Sequence, residues 1–204
     1  MMTLHGRANS SNVQKILWAL EEMGVAHDHV PRGRGVGGMD EEAFRMLTPF
    51  RLIPVLEHDR LVIFESGTIL RYLATLPEGT AFMPPDPQDR WRAEGMMDWA
   101  VQTLWAVVRP PFIAVARGGM DRSDDAVGQQ VAAVAPPLMQ LEGVLEEADW
   151  LSGDQFSFGD VPAAVIVSRL IWLVGRGALP SRVGKWYDAC AARPAFGRHV
   201  VVDE

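Results

Sequence analysis

Residues Leu4–Leu20 read LHGRANSSNVQKILWAL: an apolar start, a small and polar middle, then an amphipathic run. Val13, Ile16, Leu17, Leu20 and Met23 recur at helical spacing, and Gly24 is a natural stop. Ser11 with Gln14 three residues later fits a capping box, so the helix is expected to start near Ser10–Asn12. To the left, Thr3–His5 suits a short strand. A strand running into a helix start gathers unpaired N–H groups and a positive dipole end at Arg7–Asn12, which suits an anion. Ordinary capping explains the same serines and asparagine, and both readings stand at this point.

Working outward, the next segments alternate. Ala26–Val30 reads as a strand and Asp40–Leu47 as a helix. Pro54–Glu57 and Leu61–Phe64 are strands joined by the turn HDR, a hairpin. Ser66–Leu76 follows as a helix with Ile69, Leu70, Leu73 and Leu76 on one side. The order β-α-β-α-β-β-α predicts a small mixed sheet that begins with a parallel crossover. PEGTAFMPPDP (Pro77–Pro87) then holds four prolines and no periodicity, the composition of a linker. Beyond it the long segments read as helix: Gln88–Gly118, interrupted at Pro110–Pro111; Ser123–Ala148, interrupted at Pro136–Pro137; Phe158–Val174; and Ser181–Ala192. The expected organisation is an α/β domain over 1–78, a linker over 79–87 and an all-helical domain over 88–204.

Composition narrows the function. The 204 residues are 48% apolar, enough for a real core, and carry a net charge of −7 with scattered basic residues. That balance argues against nucleic acid or an anionic membrane as the main partner. A single cysteine, Cys190, excludes an internal disulfide framework and any CxxC pair. It falls inside a helical pattern and reads as a small buried hydrophobe. The longest apolar stretch, Val161–Val174, is broken by Ser168 and Arg169 and is too short to span a bilayer. With no apolar leader segment visible, cytoplasmic residence is expected.

Two further junctions stand out. In LIPVLE, Pro54 opens an apolar strand. If the Ile53–Pro54 bond is cis, Ile53 would present its N–H and C=O outward as a docking edge for an extended peptide; the alternative is a plain strand-initiating proline. In FESGTIL, Ser66 is placed to cap the next helix. Alternatively, Ser66 and its neighbouring N–H groups hold a carboxylate while Glu65 holds an ammonium, which together would recognise an α-amino-acid head group. Other features read as structural. Ser157–Asp160 is a capping box, with Phe156 and Val161 as its staple. GRGVGG (Gly33–Gly38) lacks the Lys-Ser/Thr of a phosphate loop and reads as a flexible surface loop. His27 and His29 share a strand face without a third ligand, so no metal site is expected.

Together, NSSNVQKILWALEEMGV, IPVL, ESGTILRYLA, WLSGDQFSFGDVP and KWYDACAARPAF occur in the order and spacing of the cytosolic glutathione S-transferases, and nearly the whole chain resembles that family. The resemblance implies a thioredoxin-like N-terminal domain, an all-helical C-terminal domain, and glutathione as co-substrate. Ile53, before Pro54, would pair with the cysteinyl backbone, and Glu65 and Ser66 would bind the γ-glutamyl end. The thiol would then lie at Ser10–Asn12, with Ser10 slightly ahead of Asn12 as its hydrogen-bond donor.

The energetics are within reach. A thiol of pKa about 8.5 needs about 2.7 kcal/mol to drop by about two units. One charge-assisted hydrogen bond supplies roughly 1.5–3 kcal/mol, and a helix end adds about 0.3–1 kcal/mol. The implied reaction is thiolate attack on a small apolar electrophile; alternatives are a glutathione-dependent disulfide reductase or peroxidase, and a non-catalytic binding module. Met96, Met97, Trp99, Trp105 and Phe112 read as core, although the family uses this region to wall the electrophile pocket. A homodimer is implied, with the helix carrying Arg71 and Tyr72 near the subunit boundary. The chain departs from the family pattern at Met39, at Thr48-Pro49, at Arg51 and at Gly67.

Overall fold

The structure, a computed structural model, describes residues 1–202; the last two positions assigned to the helical domain lie outside the described residues. The chain divides into two compact units, Met1–Ala81 with Ala195–Val201, and Phe82–Pro194.

In the first unit the order is β1 (Met2–His5), α1 (Ser11–Glu22), β2 (His27–Val30), α2 (Glu42–Leu47), β3 (Val55–His58), β4 (Leu61–Phe64) and α3 (Ser66–Ala74). The sheet order is β2-β1-β3-β4, with β1 and β2 parallel and the other pairs antiparallel. The register sets Leu4 opposite Leu56 and Val55 opposite Phe64. Leu4 and Leu56 share one face of the sheet and are buried, as are Val13, Ile16 and Leu20 of α1 and Ile69, Leu70 and Leu73 of α3; His5 and Val55 share the other face, where His5 meets the buried Phe44 of α2. The period-3.6 faces of these packed helices thus meet the period-2 faces of the central strands.

Two caps differ from expectation. Ser10, extended at φ −81 and ψ 125, is the N-cap of α1, and Ser11 is already helical. The Gln14 side chain is buried, and its amide donates to the Val201 carbonyl at 2.7 Å, because a buried donor must find an acceptor. At α3 the cap position is Glu65 and Ser66 is the first helical residue. Gly6, at φ 153, lets β1 run close under α1; a Cβ there would lie 2.4 Å from Val13 Cγ2.

The second unit is helical: α4 (Pro87–Trp99), a π-helical stretch Ala100–Leu104, α5 (Trp105–Gly118), α6 (Asp125–Ala132), α7 (Ala135–Val144), α8 (Asp160–Val174) and α9 (Ser181–Ala191). A last helix, α10 (Pro194–His199), lies from Ala195 onward in the segment that belongs to the first unit. Asp86 caps α4 by accepting from the Gln88 and Asp89 N–H groups, and Pro87 takes the first helical position, where its missing N–H costs nothing.

The chain does not break at Pro110–Pro111: both prolines lie inside α5. They cost the hydrogen bonds to the carbonyls four residues back, on a stretch where Ala106, Arg109 and Pro110 are exposed. The irregular turn falls instead at Ala100–Leu104. At Pro136–Pro137 the chain does break, just ahead of the prolines, which sit in the first turn of α7. Nearly all of α8 is buried, Ser168 and Arg169 included, as its largely apolar sequence requires.

Candidate functional site

A cleft of about 100 Å3 in the first unit is lined by Asn12, Ile53, Pro54, Glu65 and Ser66, with Thr48, Phe50, Leu52 and Phe64 completing its walls. Five of the six residues singled out from sequence therefore share one cavity. Ser10, the sixth, is half-buried at the N-cap and does not line it.

Each wall follows from local chain geometry. The Ile53–Pro54 bond is cis. The β3 ladder begins at Val55, so Ile53 stands outside it, on the wall of the cleft. Glu65 has φ 67 and ψ 122, a conformation uncommon for a non-glycine residue, and it turns the chain from β4 directly into α3. The first helical hydrogen bond of α3 runs from Ile69 N–H to the Glu65 carbonyl, so the N–H groups of Ser66, Gly67 and Thr68 precede the ladder at the positive end of the helix. A carboxylate fits those donors, and the exposed Glu65 side chain offers the opposite charge next to them.

Across the cleft, Asn12 is exposed near the start of α1, and its Oδ1 accepts a hydrogen bond from Lys15 Nζ at 2.9 Å. Lys15 itself is only 2% exposed. Reading the sequence did not single out Lys15, although its spacing of three residues from Asn12 on one helix is the available signal. Nor did it single out the apolar rim. Phe50 is 59% exposed, Leu52 60% and Phe64 38%, with the Phe50 and Phe64 rings edge-on at 5.3 Å. Arg51, at φ 51, reaches Asp40 at 3.1 Å and so ties the loop before Pro54 to the approach to α2; Met39 is half-buried beside it in sequence.

The remaining features hold structure together. Gly33–Gly38 is a turn closed by backbone bonds between Gly33 and Gly37, tighter than the open loop expected. His27 Nδ1 meets the Val25 carbonyl and His29 Nε2 the Gly6 carbonyl. Among the described residues no group of three or more His, Cys, Asp or Glu side chains comes together.

In the second unit, Ser157 and Asp160 form the expected box. Asp160 accepts from the Ser157 N–H at 2.9 Å, and Ser157 Oγ accepts from the Gly159 N–H at 3.1 Å. Asp160 also accepts from the Leu151 N–H at 3.0 Å and from Trp186 Nε1 at 2.8 Å. Burial pushes its carboxyl up to about 6, against the pull of these donors. Cys190 is buried, as expected. Met97 is fully buried in the core, while Trp105, Phe112 and Trp172 form an aromatic row capped by Arg122 over the Trp172 ring at 4.0 Å.

Comparison with known proteins bears on the whole chain. The family model for the glutathione S-transferase N-terminal domain matches residues 9–76, and that for the C-terminal domain matches residues 96–194. Glutathione S-transferase GstB of Escherichia coli is 32% identical over 206 residues, covering 99% of both chains. Glutathione S-transferase 4 of Zea mays is 30% identical over 96% of this chain and 90% of its own. Among solved structures, the theta class glutathione S-transferase of the citrus canker pathogen Xanthomonas axonopodis pv. citri, with glutathione bound, superposes with a TM-score of 0.87 at 32% identity, covering 99% of each chain. Similarity of this extent, spread over both units and agreeing with the cleft's geometry, makes the chain a member of the glutathione S-transferase family.

Proposed function

We propose that the chain is a glutathione transferase that joins the thiolate of glutathione to a small apolar electrophile. The observation that carries this reading is the meeting of Asn12, the cis Ile53–Pro54 edge and the Glu65–Ser66 junction in one cleft. The Ile53 backbone pairs with the cysteinyl unit of the tripeptide. Ser66 and the first N–H groups of α3 hold the γ-glutamyl carboxylate, and Glu65 holds its ammonium. This seating carries the thiol to the start of α1. Asn12 is the favoured donor to it, because Asn12 lines the cleft and Ser10 does not; Ser10 remains the second candidate. The residues supply thiolate stabilisation and proximity, and the electrophile supplies the reactive carbon.

The active form is proposed to be a homodimer. Phe50, Leu52, Leu61, Val62 and Phe64 expose apolar surface on and near the edge strand β4, where a second subunit would cover it. No helix among the described residues is long and apolar enough to cross a membrane, and cytoplasmic residence belongs to the same proposal.

Two measurements test the reaction. Calorimetric titration should show glutathione binding, and conjugation of an aryl halide should exceed turnover of a mixed disulfide of glutathione. Binding with turnover of the mixed disulfide alone would assign a reductase instead. Absence of binding would leave neither enzyme.

A further inference from the structure

We infer that Lys15 is a positioning residue: it fixes the Asn12 side-chain amide so that its NH2 group, and not its oxygen, faces the bound sulfur. This rests on the glutathione transferase reading above.

An asparagine amide is nearly symmetric in shape, and its oxygen and nitrogen are told apart only by their partners. At Asn12 the partner decides. Lys15 Nζ lies 2.9 Å from Asn12 Oδ1, and an ammonium has three donors and no acceptor. Only the amide oxygen can face it; turning the amide over would set NH2 against NH3+. With the oxygen committed to Lys15, what Asn12 has left for the cleft it lines is a donor, the group a thiolate requires. The cation also polarises the amide, since a hydrogen bond accepted by the oxygen makes the N–H groups better donors. Burial sharpens the effect on the lysine side: Lys15 is 2% exposed, so its ammonium is largely withdrawn from water and is screened less than a surface cation would be. A surface lysine three residues from an asparagine would hold it only part of the time.

The test reads the pKa of the bound glutathione thiol from thiolate absorbance against pH. Lys15→Met, which keeps chain length and removes the donors, should raise that pKa by about one unit, a tenfold loss of thiolate at neutral pH. Affinity for S-methylglutathione, which has no ionisable thiol, should change less than about twofold. A merely structural role for Lys15 would weaken both. In the Asn12→Ala background, Lys15→Met should add no further change, because its effect passes through the amide. Should Lys15→Met not fold, Asn12→Asp carries the test: it keeps the acceptor for Lys15, replaces NH2 by oxygen and should raise the thiol pKa at least as far as Asn12→Ala does.

An unchanged thiol pKa in Lys15→Met, or a shift that simply adds to that of Asn12→Ala, would overturn the inference. So would Asn12→Asp with the wild-type thiol pKa. If Asn12→Ala raises the pKa while Lys15→Met does not, the inference alone falls. If the wild-type protein fails to bind glutathione, the transferase reading falls and takes the inference with it.

Discussion

At Asp160 the second unit stores a charge where water does not reach, and burial outweighs the four donors directed at the carboxylate. Its folded pKa of about 6 lies above the ordinary value of 3.8, so the folded chain holds this proton more tightly than the unfolded one. The contribution is fully present below the unfolded value and is lost as pH rises through about 6, a loss of about 3 kcal/mol. Urea unfolding at pH 4.5 and 7.5 should show about 2 kcal/mol of this fall in the wild type, the rest lying below pH 4.5, and Asp160→Asn, itself destabilised by roughly 1–3 kcal/mol through mismatched donors, should lack it. At the cleft, Asn12→Ala should raise the bound thiol's pKa by about one to two units, and Ser10→Ala should move it less. Glu65→Ala should weaken glutathione binding by about 10- to 100-fold while leaving that pKa in place, since it removes an ammonium partner distant from the sulfur. Most of these residues were legible in the sequence because unusual residue types stood at chain junctions: a proline opening a strand, an acid and a serine opening a helix. Lys15 was not, because it falls off the stripe of Val13, Ile16, Leu17 and Leu20, where a lysine reads as an ordinary solvated cation until its burial and its partner are seen. The caps at Ser11 and Ser66 were each misplaced by one residue, since side-chain type cannot tell the extended residue from the first helical one.

Among the elements, α1 carries the most varied demands. Its N-terminus faces the cleft, its apolar face packs on α3, and its last turns receive the returning segment Ala195–Val201. Trp18 meets Phe196 edge-on at 4.9 Å, Gln14 holds the Val201 carbonyl, and Glu21 accepts from both Arg198 and His199. Phe196→Ala should cost the first unit about 3–5 kcal/mol, read as a lowered urea midpoint, with the helical content of α4–α9 retained. Periodicity located most helices and strands, and the hairpin turn located β3 and β4. It missed the return of the C-terminal segment, because Phe196, Val200 and Val201 are apolar without indicating which surface they cover. It also placed a break at Pro110–Pro111 where none occurs: proline removes hydrogen bonds, but it ends a helix only when packing does not hold the turn.

The molecule as a whole is an α/β unit with an unusually apolar rim and a helical unit built around α8. The division was visible in composition alone, as short alternating segments gave way to long amphipathic ones after the prolines of 77–87. The rim was not, since exposure of Phe50, Leu52 and Phe64 depends on which strand forms the sheet edge. If that rim is the subunit boundary, Phe50→Arg should shift the protein from dimer to monomer in sedimentation velocity at micromolar concentration, with the fold retained by circular dichroism. An unchanged sedimentation coefficient would place the boundary elsewhere. The route of the chain also has a consequence for biosynthesis. The first unit is split in sequence: residues 1–81 leave the ribosome early, yet the strand of chain that covers Trp18 and satisfies Gln14 is translated about 120 residues later. At about 5–20 residues per second, the nascent α/β unit therefore waits roughly 6–24 s with one flank of α1 uncovered. That interval is a window for chaperone capture, and it closes only when residues 195–201 have emerged.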